Sequence, residues 1–328
     1  LNEILQLDCV KKYFPIRRSI KEMFRKNIQT YVRAVDGVSL TIEKGKALVL
    51  AGESGSGKTT LARIILRAIE PDSGSILFDG DDITKYKGKK LKMFRTSVQM
   101  IHQDPYTSLD PRMRILDVVM EPLNIHKKSR SKKERIEDVL RSLEQVRLEP
   151  AADIAEKFPN MLSGGQRQRV SIARSLVLKP KLILADEPVS MLDVSVRAEI
   201  LELMQNLKDR LRLSYLYITH DLSTARYIGD EIGIMYAGKI VEAGPIEQVL
   251  SNPLHPYTQA LLDAISEPMA QNLDKEKIIR IKQAARERPQ NGCRFVPRCL
   301  YSMDICKNEP PLAAEEDNHY VSCFIYPV

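Results

Sequence analysis

The stretch ALVLAGESGSGKTTLARIIL, Ala47 to Leu66, constrains the fold more than any other part of the chain. It opens on a continuous apolar run, the pattern of a short strand buried on both faces. It closes on apolar residues at helical spacing. Between them Gly52-Glu53-Ser54-Gly55-Ser56-Gly57-Lys58-Thr59 fits the phosphate-loop spacing G-x-x-x-x-G-K-[ST]. Glycines let the backbone fold tightly enough for its N–H groups to converge on phosphate oxygens, and the following helix adds its positive end. In that geometry Lys58 reaches the β- and γ-phosphates, Thr59 ligates Mg²⁺, and Thr60 continues the helix start.

A second apolar run, LILADE, ends in two acids. A buried strand there brings Asp186 beside the Mg²⁺, through water in most such sites. Glu187, the next residue, is placed to orient and polarise an attacking water. Strands are also expected over Ile4–Val10, over Val32–Ile42, and in LSYLYITHDL and EIGIMYAGKIVEAGP. PDSGSILFDGDDI reads as a hairpin, and helices are expected from Ser131 to Val146 and from Ser163. Buried strands alternating with helices indicate a mainly parallel α/β sheet. Near Glu267 the texture changes to proline, charge and cysteine, which marks a boundary. No internal repeat or low-complexity tract is visible.

The composition, 43% apolar and 28% charged, is that of a soluble globular protein. No leader pattern is visible, and no apolar run reaches the roughly 18–20 residues of a membrane span. A reducing cytoplasmic setting is therefore expected. The net charge is +7, with eight basic residues and one acid, Glu22, between Lys11 and Arg33. A short basic amphipathic helix is expected within that stretch, and a second basic cluster spans Lys127 to Arg135. Such clusters are solvated faces or sites for anionic lipid or nucleic acid.

Four of the five cysteines, Cys293, Cys299, Cys306 and Cys323, crowd into the last segment. Disulfides are disfavoured in a reducing compartment. Structural zinc more often uses a tighter C-x2–4-C knuckle, and iron–sulfur clusters tolerate varied spacing. Cluster, zinc and unligated thiols all remain open on spacing. Cys9, on an expected strand, reads as a small buried hydrophobe.

LSGGQRQRVSIARSL, Leu162 to Leu176, resembles the signature motif of ATP-binding-cassette (ABC) ATPases. Other pieces resemble the family in order. Tyr13 resembles the aromatic residue that stacks on adenine, and Gln103 the glutamine that touches Mg²⁺ and senses the membrane partner. SMLD, ending in Asp193, resembles the D-loop, with Met191 where alanine is usual. His220 resembles the switch histidine at the γ-phosphate. QMIHQDPYTSLDPRM and NPLHPYTQALLDAI resemble the peptide-import group of this family, as does the cysteine tail.

The resemblance implies an ATPase with a mainly parallel sheet core, an antiparallel β subdomain and a helical signature subdomain at about 104–180. The nucleotide-binding domain would span 1–266 and the cysteine-containing extension 267–328. It implies head-to-tail pairing with a second, different ATPase chain. Each ATP would then lie between one chain's phosphate loop and the other's Ser163, Gly164, Gly165 and Gln166. Two transmembrane permease subunits and, indirectly, an extracellular solute-binding protein would complete an importer, with this chain on the cytoplasmic face of the membrane. The four tail cysteines would hold a [4Fe–4S] cluster, with Zn²⁺ as the alternative. Importers of oligosaccharides or nickel share the subfamily. An ABC exporter component, or a nucleic-acid-associated ABC ATPase, is a different class. The latter usually carries two cassettes, a coiled-coil insertion or zinc modules within the cassette, none of which is visible, so no nucleic-acid partner is expected.

Overall fold

The computed structural model describes residues 2–15, 31–126, 131–264, 289–314 and 318–326. The basic amphipathic helix expected before Tyr31 and part of the second basic cluster lie outside them. The strands, in chain order, are β1 (Glu3–Pro15), β2 (Tyr31–Glu43), β3 (Ala47–Ala51), β4 (Ser73–Phe78), β5 (Asp81–Asp82), β6 (Val98–Ile101), β7 (Leu182–Asp186), β8 (Ser214–Thr219), β9 (Glu231–Tyr236), β10 (Lys239–Pro245), β11 (Ala313–Ala314) and β12 (Tyr320–Val321).

They form two sheets. The larger runs β11-β12-β10-β9-β3-β8-β7-β6 and is parallel from β9 through β6. Every residue of β3, β7 and β8 is buried. Their side chains alternate between two cores, as a period of two requires. Val49, Ala51, Ile183, Ala185, Tyr215 and Tyr217 face a core shared with the helices Ile115–Ile125, Lys132–Gln145, Gly164–Leu176 and Val194–Leu211. Leu48, Leu50, Leu182, Leu184, Leu216 and Ile218 face the other, shared with the helix Lys58–Ile65 and the second sheet.

That second sheet is antiparallel, β2-β1-β4-β5. Its register slips between Leu7 and Val10. Cys9 sits in the slip with a φ of 45°, and its N–H donates to Ser39 Oγ at 2.9 Å. Cys9 is exposed, which corrects the expectation of a buried hydrophobe. The bulge breaks the alternation that would have turned it inward.

The helical layer starts where its caps say it should. Ser131 and Glu134 exchange backbone and side-chain bonds as a capping box ahead of Lys132–Gln145. Ser163 and Gln166 do the same ahead of Gly164–Leu176. Among the described residues no helix is long and apolar enough to cross a membrane.

The end of the chain completes the main sheet: β12 pairs with β10, Glu242 opposite Val321. The fully buried Glu242 carboxylate fastens this join. It accepts from Leu254 N–H at 2.8 Å and His255 N–H at 2.9 Å, and meets His319 Nε2 at 2.8 Å.

Candidate functional site

Parallel pairing sets the site. Ala51 lies opposite Thr219, Asp186 opposite Ile218, and Ile101 opposite Ala185. The C-terminal ends of β3, β6, β7 and β8 therefore open on one side, where an open α/β sheet takes its ligands. A cleft of about 780 Å³ lies there, lined among others by Glu53, Lys58, Thr59, Gln103, Glu187 and His220. Ser54, Gly55 and Thr60 line it too. Ligand pockets span about 300–1,000 Å³, so a nucleotide-sized ligand fits.

The loop after β3 is held closed by backbone contact. Gly57 has a φ of +112°, and a Cβ there would lie 2.1 Å from Ala34 O; only glycine meets both demands. Buried Lys58 folds its ammonium back on the loop, donating to Gly52 O at 2.6 Å, Glu53 O at 2.9 Å and Ser56 Oγ at 3.4 Å. Burial pushes its pKa below the ordinary lysine value, and Glu187, Asp186 and Glu53 push back. Neutral carbonyls thus hold a charge that phosphate oxygens would hold better.

Thr59 Oγ1 donates to Asp186 Oδ1 at 3.1 Å. Burial raises the Asp186 carboxyl pKa, Thr59 lowers it, and neighbouring Glu187 raises it further. A hydroxyl and two adjacent carboxylates in a partly desolvated pocket suit Mg²⁺, a hard cation with oxygen ligands. Glu187 is gripped from both sides: Oε1 lies 3.0 Å from His220 Nδ1, and Oε2 accepts from Gln103 Nε2 at 3.0 Å. Its φ of 48° is left-handed, a sparsely populated conformation that clusters at functional sites.

At the other end of the cleft the wall is Phe14, Val32, Arg33 and Ala34. Phe14 reaches it and Tyr13 does not. Tyr13 hydrogen-bonds Asp36 through its hydroxyl, with the Arg33 guanidinium 5.6 Å from its ring centre. A register shift in β1 between Lys12 and Tyr13 sets which side chain faces the cleft, and one sequence cannot show such a shift.

Ser163, Gly164, Gly165 and Gln166 are absent from the cleft wall. The two glycines pack against the segment ahead of Val194–Leu211 and its first turn: a Cβ on Gly164 would lie 3.6 Å from Leu192, and one on Gly165 2.6 Å from Val196. Asp193, Met191 and Val194 are exposed beside them. The signature and the D-loop thus form one surface, separate from this chain's own phosphate loop.

The four tail cysteines line a single small apolar-walled chamber with His255 and Phe295. Cys299, Cys306 and Cys323 are buried and Cys293 half-buried. Gly292, at φ +74°, lets the chain pass so close to Cys306 O and Lys307 O that a Cβ would lie within 2.6 Å of both. Cys293 N–H donates to Cys306 O at 3.0 Å. Burial pushes the Cys293 thiol up to about 11, and Cys323, Cys306 and Cys299 each add to the rise. Among the described residues no group of three or more His, Cys, Asp or Glu side chains is arranged to hold a metal ion. The chamber thus gathers four cysteine side chains, the donor type and number that an iron–sulfur centre takes.

Sequence reasoning missed the residues that join this chamber to the cleft. Arg298 makes a two-point ion pair with Glu53, both contacts 2.9 Å. Arg294 pairs with Asp36 and bonds Ala237 O. Tyr257 accepts from Glu53 N–H at 2.8 Å. The available signal was the alternation of arginine with cysteine in CRFVPRC.

Comparison with known proteins gives concordant matches. A family model described as ABC transporter matches residues 35–190, and one described as Oligopeptide/dipeptide transporter, C-terminal region, matches 241–306. The oligopeptide transport ATP-binding protein AppF of Bacillus subtilis is 43% identical over 327 residues, covering 98% of this chain and 97% of that protein. The dipeptide transport ATP-binding protein DppF of Haemophilus influenzae is 44% identical over 317 residues, covering 96% and 94%. Among solved structures, the dimeric bacterial ABC transporter cassette MJ0796 superposes with a TM-score of 0.63 at 29% identity, covering 74% of this chain and 98% of that one. Its state bound to ADP and Pi gives the same values.

Proposed function

This chain belongs to the ABC transporter family, and we propose that it is the ATP-hydrolysing subunit of an importer of dipeptides and oligopeptides, peripheral on the cytoplasmic face of the membrane. One observation carries the hydrolytic reading: Glu187 stands between Gln103 and His220 at a cleft that also holds Lys58 and Thr59. The peptide reading rests on the transporter-type match over 241–306 and on the names of the relatives.

Lys58 leaves the loop carbonyls for the β- and γ-phosphates. Phe14 offers a face for the adenine, and Tyr13 braces that wall from behind through Asp36. Thr59, Asp186 and Gln103 would hold Mg²⁺, which would supply positive charge to offset that of the phosphates. Glu187 polarises water for attack on the γ-phosphorus as the bond to the ADP oxygen breaks, and His220 steadies both carboxylate and phosphate. Much of the gain is positioned charge.

The signature surface is used in trans. Ser163, Gly164, Gly165 and Gln166, with Asp193 beside them, meet the ATP of a second, different ATPase chain docked head to tail. ATP then favours the closed pair through its differential affinity for it. Two permease subunits and a solute-binding protein complete the transporter. We divide the chain into a nucleotide-binding domain, 1–266, with its helical subdomain at about 104–180, and a tail, 267–328. In the tail Cys293, Cys299, Cys306 and Cys323 hold a [4Fe–4S] cluster with a structural role.

Uptake by the complex reconstituted in vesicles, with ATP on this chain's side, tests the reading. Labelled dipeptide or oligopeptide should accumulate and nickel and oligosaccharide should not. Accumulation of either of those in place of peptide would overturn the substrate class.

A further inference from the structure

His255 opens the helix Pro256–Asp263, and its Nδ1 accepts from Tyr257 N–H at 3.0 Å. A nitrogen that accepts carries no proton, so the neutral ring bears its proton on Nε2. His255 is 1% exposed, and Nε2 meets no partner among the described residues. A buried donor left unsatisfied costs free energy, and such groups are rare without a reason. The cap does not supply one, because Ser would serve it as well with a single polar side-chain atom.

The ring's surroundings supply the reason. His255 lines the chamber shared by all four tail cysteines, and Phe295 flanks it with ring centres 5.9 Å apart. A bridging water needs two to four polar partners, and the walls here are apolar apart from the thiols. An anionic, sulfur-rich group would meet the donor directly.

We propose that His255 donates a hydrogen bond from Nε2 to the iron–sulfur cluster held by Cys293, Cys299, Cys306 and Cys323. The inference rests on the cluster reading given above. Hydrogen bonds to cluster sulfurs stabilise the more negative, reduced state and so raise its reduction potential. The His-Pro-Tyr turn therefore serves both sites, His255 at the cysteine chamber and Tyr257 at the phosphate loop through Glu53 N–H.

The test uses the full transporter complex purified without oxygen, with His255 intact, as His255→Asn and as His255→Gln. Asparagine can keep the cap acceptor, but its shorter side chain holds its amide donor back from the chamber; glutamine can carry a donor as far as the chamber and lose the cap. Iron, sulfide, visible spectrum and midpoint potential against dithionite are measured. All three proteins should carry about four irons per chain. The His255→Asn potential should fall below the unsubstituted value, and His255→Gln should stay close to it. Loss of the cluster in His255→Asn alone would also support the donor role. An unchanged potential and spectrum in His255→Asn, or cluster loss in both variants, would overturn it. Absence of iron and sulfide from the unsubstituted complex would overturn the cluster reading itself, a failure visible before any substitution is compared.

Discussion

Arg298 and Glu53 form a two-point ion pair, each guanidinium nitrogen 2.9 Å from one carboxylate oxygen. Glu53 is the second residue of the phosphate loop, and Arg298 adjoins Cys299 in the tail. The guanidinium also lies 5.7 Å from the ring centre of Phe295 and 6.0 Å from that of Tyr236. The tail thus braces the loop that is to hold the nucleotide.

Arg298→Ala should weaken ATP binding more than it slows turnover. Both side chains are partly exposed, 29% and 38%, so screening limits the pair to about 1 kcal/mol, or about fivefold in affinity. Arg298→Lys should recover only part of this, because an ammonium cannot reproduce the two-point fork. Titration with a fluorescent ATP analogue reads the effect, and equal affinity in all three proteins would contradict the bracing role.

Gly57→Ala should destabilise the fold as well as the site. The new methyl would meet Ala34 O at 2.1 Å with φ at +112°. A strained backbone position costs about 1–3 kcal/mol, and a drop in thermal unfolding temperature should accompany loss of ATP binding. Unfolding at the unsubstituted temperature would show that the loop is not held as described.

Asp36 links stability to pH. Burial raises its carboxyl pKa, but the Tyr13 hydroxyl and then Arg294 lower it, and the net shift is downward. A depressed carboxyl contributes stability above its unfolded pKa of about 3.9 and loses it as pH falls through the folded value. Asp36→Asn also leaves Arg294, 6% exposed, without its buried partner. The variant should be less stable by about 3 kcal/mol at neutral pH. The gap should begin to narrow below about pH 4, where the unfolded carboxyl takes up a proton, and close only once the folded carboxyl is neutral too. Denaturant unfolding across that range checks this, and a constant gap would contradict it.

Much of the phosphate site was legible because its signals are local. The run into Gly52 with the spacing to Lys58, and the apolar run ending in Asp186 and Glu187, each span only a few neighbouring residues. Parallel pairing then brings Gln103, Glu187 and His220 to one cleft, with Asp186 buried behind Thr59. What was not legible depends on contacts across the chain. The bulges in β1 expose Cys9 and turn Phe14, in place of Tyr13, toward the cleft. The tail, read as a separate segment after a change of texture, adds β12 to the main sheet and sends Arg294 and Arg298 to residues near the start of the chain. No periodicity records such pairings.

The central claim is that Glu187 drives ATP hydrolysis at this chain's own phosphate loop. It is tested most directly by ATP turnover of the complex carrying Glu187→Gln, with nucleotide binding measured alongside. Turnover at this chain's site should fall by about 10²–10⁴-fold, the range for a general acid–base group, while ATP stays bound and holds the ATPase pair closed. Turnover at the unsubstituted rate would contradict the account.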